Sequence, residues 1–179
     1  MPVRSSTYLV LGMLRLGASS GYAIKKAADV STRFFWATSF AQVYPELARL
    51  ERERLVTRRD EPRGARRRSA YKVTGDGERA LLAWLRSPRQ APPQFRVEGI
   101  LRLFLADALP AEDQRALVRR LADQARGIED QIRGEIVPVA EELARSGTRF
   151  PAITAGLGAD LFGFGADWLE RLEGELAGG

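Results

Sequence analysis

The sequence predicts a mainly α-helical chain in two parts, with one two-stranded β-ribbon near the end of the first part. Apolar residues recur at steps of three and four through most of the 179 residues, which is typical of helices packed through one face. Apolar and polar residues alternate in two short runs within 55–74, which indicates strands. Three prolines in 88–94 predict a linker. We therefore expect domains at 1–87 and 95–179.

Each predicted element of the first part has its own start signal. Ser5 or Ser6, Ser19 or Ser20, Ser39 and Thr74 each stand just before a helical pattern, where a hydroxyl can accept hydrogen bonds from unpaired helix amides. The predicted helices cover residues 6–16, 22–30, 40–54 and 75–86, and the ribbon covers 55–74. The aromatic run 34–36 is expected to fill the core between the second and third helices.

Three helices, a two-stranded ribbon and a further helix follow the element order of a winged helix-turn-helix, in which the ribbon is the wing. Residues 1–86 contain 17 basic and 8 acidic residues, whereas residues 87–179 contain 11 and 15. A dense basic cluster repels itself unless a polyanion neutralises it. The first part is therefore predicted to bind double-stranded DNA. The tip of the ribbon carries Arg63, Arg66, Arg67 and Arg68.

The third helix of such a motif enters the major groove, and its early residues reach the base edges. Gln42 can pair with adenine through two hydrogen bonds, and Arg49 can contact guanine or a phosphate. Tyr44 fits a DNA contact and a core position with an exposed hydroxyl equally well. The start of the second helix is suited to a phosphate. With the four tip arginines, the predicted DNA contacts are Ser20, Tyr22, Lys25, Ser39, Gln42, Tyr44 and Arg49.

The second part is predicted to be entirely helical. Its first helix covers 95–109, and a long coiled-coil-like helix then breaks near Pro138. The last helix, about 152–176, contains glycines whose spacing does not fit a phosphate-binding loop, so they are expected to allow close helix packing. Its apolar stripe could be covered by the preceding helix of the same chain, but the stripe is wide and aromatic, which favours pairing with a second copy of the chain. The stripe consists of Leu157, Leu161, Phe164, Trp168 and Leu172.

The composition makes several functional classes unfavourable. The chain has no cysteine and no histidine, so it lacks thiolates and the most frequent general base and metal ligand. No apolar run approaches the roughly 20 residues that span a bilayer, and no signal-peptide pattern occurs at the start. We expect a cytoplasmic protein that is not an enzyme, has no cofactor and has no membrane partner.

Several short motifs follow one another through residues 7–86. They are Tyr8-Leu-Val-Leu-Gly-Met-Leu14, Ser20-Gly-Tyr22, Phe35-Trp36-Ala-Thr-Ser39, Gln42-Val-Tyr44-Pro45, Leu55-Val56-Thr57 and Tyr71-Lys-Val73-Thr74. In this order they resemble the PadR family of prokaryotic transcriptional regulators. The resemblance implies a repressor that binds an inverted-repeat operator as a homodimer, with a helical C-terminal dimerisation domain.

The resemblance also implies a ligand, because some members of the family bind aromatic or drug-like compounds between the two domains. The residues suited to line such a cavity fit plain core positions as well, and they are Trp84, Phe95, Phe104 and Trp168. A ligand-sensing or protein-binding winged helix without sequence-specific DNA binding stays open as an alternative.

The chain departs from the family pattern at Ala18, Ala23 and Arg54. Arg54 stands where a glycine usually precedes Leu-Val. If this corner requires a positive φ, Arg54 carries strain that a glycine would avoid.

Overall fold

The computed structural model describes residues 5–63, 66–88 and 96–178, with the side chains of all of these except residues 5, 61–63 and 66–68. The chain divides into two compact units, Met1–Ala91 and Pro92–Gly179. The first contains α1 (Ser5–Arg15), α2 (Gly21–Asp29), α3 (Phe40–Arg52), β1 (Val56–Arg63), β2 (Arg66–Val73) and α4 (Gly75–Arg86). The second contains α5 (Glu98–Phe104), α6 (Ala111–Gln131), α7 (Val137–Arg145) and α8 (Phe150–Gly178). The predicted fold class, mainly helical with one small sheet, is confirmed. Apart from Pro88, the predicted linker lies outside the described residues.

The core of the first unit lies where α1, α2 and α3 meet the start of β1. Its central side chains are no more than 2% exposed, and they are Leu11, Ile24, Leu47, Leu50 and Val56. Burying each of these contributes roughly 1.5–3 kcal/mol relative to leaving it exposed. This core fixes which face of α3 is turned inward and which face is left to solvent.

Side-chain caps set the starts of α2 and α4. The Ser20 hydroxyl accepts a hydrogen bond from the Ala23 amide at 3.2 Å, and the Thr74 hydroxyl accepts one from the Gly77 amide at 3.1 Å. These caps satisfy helix amides that have no partner within the helix. The predicted caps at Ser20 and Thr74 are confirmed.

Arg54 forms the corner between α3 and β1 with a positive φ of 59°. Its amide donates to the Glu51 carbonyl at 3.0 Å, and its carbonyl accepts from the Thr74 hydroxyl at 2.8 Å. The left-handed conformation costs a residue with a Cβ roughly 1–2 kcal/mol. The predicted strain at Arg54 is therefore confirmed, and surrounding hydrogen bonds hold the residue in this conformation.

The two strands form an antiparallel hairpin whose register runs from Val56 opposite Val73 to Arg63 opposite Arg66. The Tyr71 amide donates to the Ser19 carbonyl at 2.8 Å, which ties the ribbon to the segment that precedes α2. The predicted ribbon is thus confirmed, and the residues between Arg63 and Arg66 lie outside the described part of the chain.

The helices of the second unit differ from the prediction in two places. The helix expected over 95–109 is regular only in α5 and continues as a short 3-10 turn at Ala106–Ala108. The expected break near Pro138 is present as a five-residue π turn, Ile132–Ile136, between α6 and α7. Because proline cannot donate to the preceding turn and its ring crowds that turn, the helix changes its winding just before it.

The inner face of α8 packs against α6 and consists of small residues. Its buried positions are Ala155, Ala159, Gly163 and Ala166. A Cβ added at Gly163 would lie 2.7 Å from Oε1 of Glu129, which is too close for a real contact. Gly163 therefore makes room for the Glu129 carboxylate, as predicted for close helix packing. At Gly156 and Gly165 the prediction is wrong, because a Cβ there would have no described atom within 4 Å.

The Glu129 carboxylate is held by two arginines of the same helical stretch. It accepts hydrogen bonds from Arg133 Nε at 2.9 Å and from Arg126 Nη1 at 2.8 Å, and these bonds hold the pKa of Glu129 below its ordinary value. Arg126 also bonds Asp167 at 2.5 Å, and Arg133 bonds Asp160 at 3.1 Å. The two arginines thus connect the Glu129 stretch to α8.

The aromatic run 34–36 does not fill the core as predicted. Phe35 is 62% exposed and Trp36 is 43% exposed, while Phe34 is half-buried under the guanidinium of Arg33. The core between α2 and α3 is already filled by Ile24, Leu47 and their neighbours. The prediction for Phe35 and Trp36 was wrong, because it rested on their hydrophobicity alone.

The described helices include none that is both long enough and apolar enough to cross a membrane. Over the same residues, no group of three or more acidic side chains is placed to hold a metal ion.

Candidate nucleic-acid interface

Three aromatic rings lie on the surface at the starts of α2 and α3. Tyr22, Phe40 and Tyr44 are 60%, 44% and 50% exposed. The Phe40 ring stacks on both tyrosines, with centroids 6.2 Å from Tyr22 and 6.1 Å from Tyr44. We call these three residues the aromatic row. The aromatic row therefore presents ring faces and two hydroxyls at the start of α3. This is the part of the helix that would enter a DNA groove.

Gly21 positions one end of the aromatic row. A Cβ at Gly21 would lie 2.5 Å from Cε1 of Tyr44, so the Tyr44 ring rests directly on the first turn of α2. This contact explains why Tyr44 is half-exposed and also packed. Tyr44 is therefore packed against α2 but does not occupy a core position, and its DNA contact stays a prediction.

Gln42, which was predicted to contact an adenine base, caps the start of α3. Its Oε1 accepts a hydrogen bond from the Ser39 amide at 3.0 Å, and this bond satisfies the backbone just before α3. Pairing with adenine through two hydrogen bonds would have to share this oxygen with the cap. Ser39 itself is exposed at the helix start. The DNA contacts of Ser39 and Gln42 stay predictions.

Two side chains at the start of α2 have partners within the protein. Ser20 is buried and its hydroxyl caps α2, so the DNA contact of this side chain stays a prediction. Lys25 forms an ion pair with Asp29, and its Nζ lies 5.8 Å from the centroid of the Phe40 ring. Part of the Lys25 charge is therefore neutralised beside the aromatic row.

Arg49 is engaged in an internal network rather than pointing unpaired to solvent. Its Nη2 bonds Glu46 Oε1 at 2.5 Å and the Thr7 hydroxyl at 2.7 Å, and its Nη1 bonds Glu53 at 2.6 Å. Glu46 is buried, and its hydrogen bond with Arg49 is the main reason that the pKa of Arg49 lies above its ordinary value. To contact a base or a phosphate, the Arg49 guanidinium would have to share or leave these partners, and its DNA contact stays a prediction.

Arg52 is a basic residue of α3 that the sequence prediction missed. It is exposed and has no hydrogen-bond or ion-pair partner in the part of the chain that the structure describes. With Gln42 and Pro45 it lines a shallow polar groove of about 420 Å³ beside α1. Gln42, Pro45, Arg49 and Arg52 follow one another at steps of three, four and three residues and all line this groove, so this spacing would have revealed the shared face.

The ribbon carries further positive charge. Arg59 and Lys72 are exposed and form no ion pair within the described ranges, whereas Arg58 bonds Asp60 at 3.0 Å. The backbone register pairs Arg63 with Arg66. The four tip arginines, Arg63, Arg66, Arg67 and Arg68, have side chains outside the described residues, and their phosphate contacts stay predictions.

The predicted dimerisation stripe lies on the outer face of α8. Leu157, Leu161, Phe164 and Trp168 are exposed in the single chain, and Leu172 is half-buried. Phe150 and Ile153 are also exposed and extend the stripe by two turns towards the start of α8. The same steps of three and four indicate these two residues, but the predicted helix began too late to include Phe150.

The residues predicted to line a ligand cavity are found in both units. The Trp84 ring stacks on Tyr8 with centroids 4.4 Å apart and planes 8° from parallel, and it is partly exposed. Phe104 is 82% exposed on α5, and Trp168 lies on the stripe of α8. Phe95 lies outside the described residues.

The comparisons with known proteins agree on one family. Residues 10–83 match the model of the Transcriptional regulator PadR-like family. The negative transcriptional regulator PadR of Bacillus subtilis is 30% identical over 112 residues, which cover 62% of this chain and 62% of that protein. The aligned region therefore spans less than two thirds of this relative.

Two solved structures share the fold over nearly the whole chain. The crystal structure of Bacillus subtilis PadR in complex with operator DNA is 23% identical, with a TM-score of 0.86 over 98% of this chain and 99% of that one. The same protein in complex with p-coumaric acid is 20% identical, with a TM-score of 0.76 over 97% and 99%. Residues 10–83 of this chain therefore match the Transcriptional regulator PadR-like family, and nearly the whole chain shares the fold of a solved PadR structure.

Proposed function

We propose that this chain is a transcriptional repressor that binds an inverted-repeat operator as a homodimer and is released by a small aromatic effector. The observation that carries the proposal is the exposed start of α3, with its aromatic row, in a PadR-like domain that also bears a basic ribbon. The Bacillus subtilis relative is a negative transcriptional regulator, and its structure with operator DNA has the same fold. We extend operator binding to this chain on that likeness.

Homodimerisation is supported by the uncovered stripe of α8. A row of large apolar side chains along one helix face is costly in water, and a second copy can cover it. A two-fold dimer would present two α3 helices to successive turns of the major groove, roughly 34 Å apart. Light scattering after size exclusion should give twice the mass of one chain, and Phe164→Asp should give a folded monomer. A monomeric wild-type chain at micromolar concentration would contradict this part of the proposal.

Sequence-specific binding can be tested before any operator is known. The full-length protein would be used to select duplexes from a randomised pool, and we expect an enriched inverted repeat. A variant with Arg66, Arg67 and Arg68 replaced by alanine should bind the selected duplex and unrelated duplexes more weakly by about the same factor, because phosphate contacts carry no sequence information. A folded dimer that enriches no sequence would overturn the proposal in favour of a protein-binding winged helix.

An aromatic effector is supported by Trp84, which offers one ring face while Tyr8 covers the other. The Bacillus subtilis relative has been crystallised with p-coumaric acid. Titration with p-coumaric acid, other phenolic acids and planar cationic drugs should quench tryptophan fluorescence and release bound DNA. Quenching that is unchanged in Trp84→Leu would assign it to another tryptophan, and a flat response across the panel would contradict an aromatic effector.

As a DNA-binding regulator the chain would act in the cytoplasm, without catalytic activity and without a cofactor. The matched family is one of transcriptional regulators, which supports this assignment.

A further inference from the structure

Phe40 places an apolar ring at the point where α3 would first enter the major groove. It is the first residue of α3, it is 44% exposed, and it carries no hydrogen-bonding side-chain atom. The first residues of a recognition helix are those that reach base edges, and the one apolar group on a major-groove edge is the thymine methyl. The geometry points to Phe40 as a specificity-determining residue that contacts thymine methyl groups. This inference rests on the proposed DNA binding.

The surrounding side chains leave Phe40 as the residue best placed for this contact. The polar side chains at the same end of the motif are engaged elsewhere, since Gln42 caps α3 and Ser20 caps α2. Arg49 is bonded to Glu46 and Glu53. Direct recognition by this end of α3 therefore depends more on apolar contact than the polar composition of the helix suggests.

The two tyrosines fix the position of the Phe40 ring. Stacking on Tyr22 and Tyr44 holds the ring between two half-exposed neighbours, and Tyr44 is itself seated on Gly21. A ring restrained in this way loses little rotational freedom on binding. The hydroxyls of the two tyrosines can donate to phosphates on either side, as tyrosines do in protein–DNA interfaces.

The charge around the aromatic row favours DNA over a protein partner. Lys25 lies 5.8 Å from the Phe40 ring centroid, and its ion pair with Asp29 neutralises part of its charge. The exposed Lys26 has no ion-pair partner within the described residues. Residues 1–86 together carry a net charge of +9. An apolar group inside a positive surface matches a methyl group inside the phosphate-lined major groove.

The inference predicts that binding depends on the thymine C5 methyl group. Duplexes selected by the full-length protein would be prepared with uracil replacing thymine at random. The bound and unbound fractions would be cleaved at uracil with uracil-DNA glycosylase and alkali, and the cleavage positions would be mapped. We expect uracil to be depleted about fourfold in the bound fraction at one or two symmetric positions of each half-site. A fourfold change in affinity corresponds to the burial of one methyl group, about 0.8 kcal/mol. Replacing one such thymine by uracil in each half-site should weaken dimer binding by roughly fifteenfold.

Variants assign the effect to Phe40. Phe40→Ala should bind uracil and thymine duplexes equally, and Phe40→Leu should keep most of the discrimination because leucine still offers an apolar contact. Phe35→Ala is the matched control, because Phe35 is also exposed and makes no ring contact within the described residues. It should keep the full preference for thymine. Circular dichroism and the thermal midpoint of each variant establish that it is folded.

Each outcome decides between separate claims. Enriched duplexes that tolerate uracil at every position would overturn the thymine contact while leaving the proposed repressor function intact. Discrimination that persists in the folded Phe40→Ala variant would assign the contact to another residue and overturn the inference. If no sequence is enriched at all, the proposed DNA-binding function fails first.

Discussion

Replacing Arg49 with methionine should destabilise the first unit rather than remove a DNA contact. Glu46 is only 7% exposed, and Arg49 bonds both of its carboxylate oxygens, at 2.5 and 3.3 Å. Removing one partner of a buried ion pair costs roughly 3–5 kcal/mol, because the remaining charge stays buried and has lost that ion pair. Glu46 keeps the hydrogen bond that the Thr7 hydroxyl donates to it at 2.7 Å, which reduces the loss. Since the Arg49 side chain is 30% exposed, we expect a loss of about 3 kcal/mol, at the lower end of that range.

Urea unfolding followed by circular dichroism measures this loss, and a double-mutant cycle assigns it to the pair. A loss of about 3 kcal/mol should lower the thermal midpoint by at least about 10 °C for a domain of this size. Because an apolar pair of similar volume can replace a buried ion pair at little cost, Glu46→Met combined with Arg49→Met should recover most of the stability. Wild-type stability in Arg49→Met, or simple additivity of the two substitutions, would refute the argument.

Arg52→Met is the matched control in the same helix. Arg52 is exposed and has no ion-pair partner among the described residues, so its loss should change stability by no more than about 0.5 kcal/mol. It should instead weaken binding to all duplexes and reduce the salt dependence of log K by about one unit per protomer. The opposite pattern, stable Arg49→Met with lost DNA affinity, would restore Arg49 as the DNA contact.

Three further predictions concern the fold. Gly163→Ala should destabilise the second unit by roughly 1–3 kcal/mol, because its Cβ would displace the Glu129 carboxylate. Gly165→Ala, where nothing lies within 4 Å of the added Cβ, should be neutral or stabilising by up to about 1 kcal/mol. Equal thermal midpoints for the two variants would contradict this prediction. Hydrogen bonds from Arg133 and Arg126 lower the pKa of Glu129. The contribution of the Glu129 carboxylate to stability is therefore present above its unfolded pKa of about 4.5 and is lost as the pH falls through the lower folded pKa. Thermal midpoints measured from pH 6 to pH 2 should fall less steeply in Glu129→Gln than in the wild type, and parallel curves would contradict this prediction. Arg54→Gly should stabilise the first unit by about 1 kcal/mol through relief of the positive φ, whereas Arg54→Ala, which removes the charge but keeps the Cβ, should not, and equal gains in both variants would assign the effect to charge.

The helices and the ribbon could be predicted because their signals are local. A hydroxyl at Ser20 or Thr74 and the apolar spacing behind it are sufficient to start a helix. The corner at Arg54 was predicted from the family resemblance instead, because the family pattern has a glycine where this chain has Arg54. The break near Pro138 was predictable from the missing amide, but its form as a π turn depends on packing that a single segment does not show.

The roles of individual polar side chains could not be predicted, because they depend on partners far apart in the sequence. A helical projection places Arg49 on the exposed face of α3, where a side chain can contact DNA bases. It does not show that Arg49 also donates a hydrogen bond to the Thr7 hydroxyl, 42 residues away in the sequence. Phe40 was overlooked for the opposite reason. Apolar residues near a helix start are usually assigned to the core, and the core position here is already filled by Val43 and Leu47.

The most direct test of the account is the affinity of the full-length protein for a selected duplex and for the same bases in shuffled order, measured by fluorescence anisotropy at several salt concentrations. We expect the selected duplex to bind at least about 10³-fold more tightly. We expect log K to fall with log salt at a slope of about −7, for roughly four phosphates neutralised by each protomer of a dimer. Equal affinity for both duplexes, or affinity that does not change with salt, would contradict sequence-specific binding through the aromatic row and the basic ribbon.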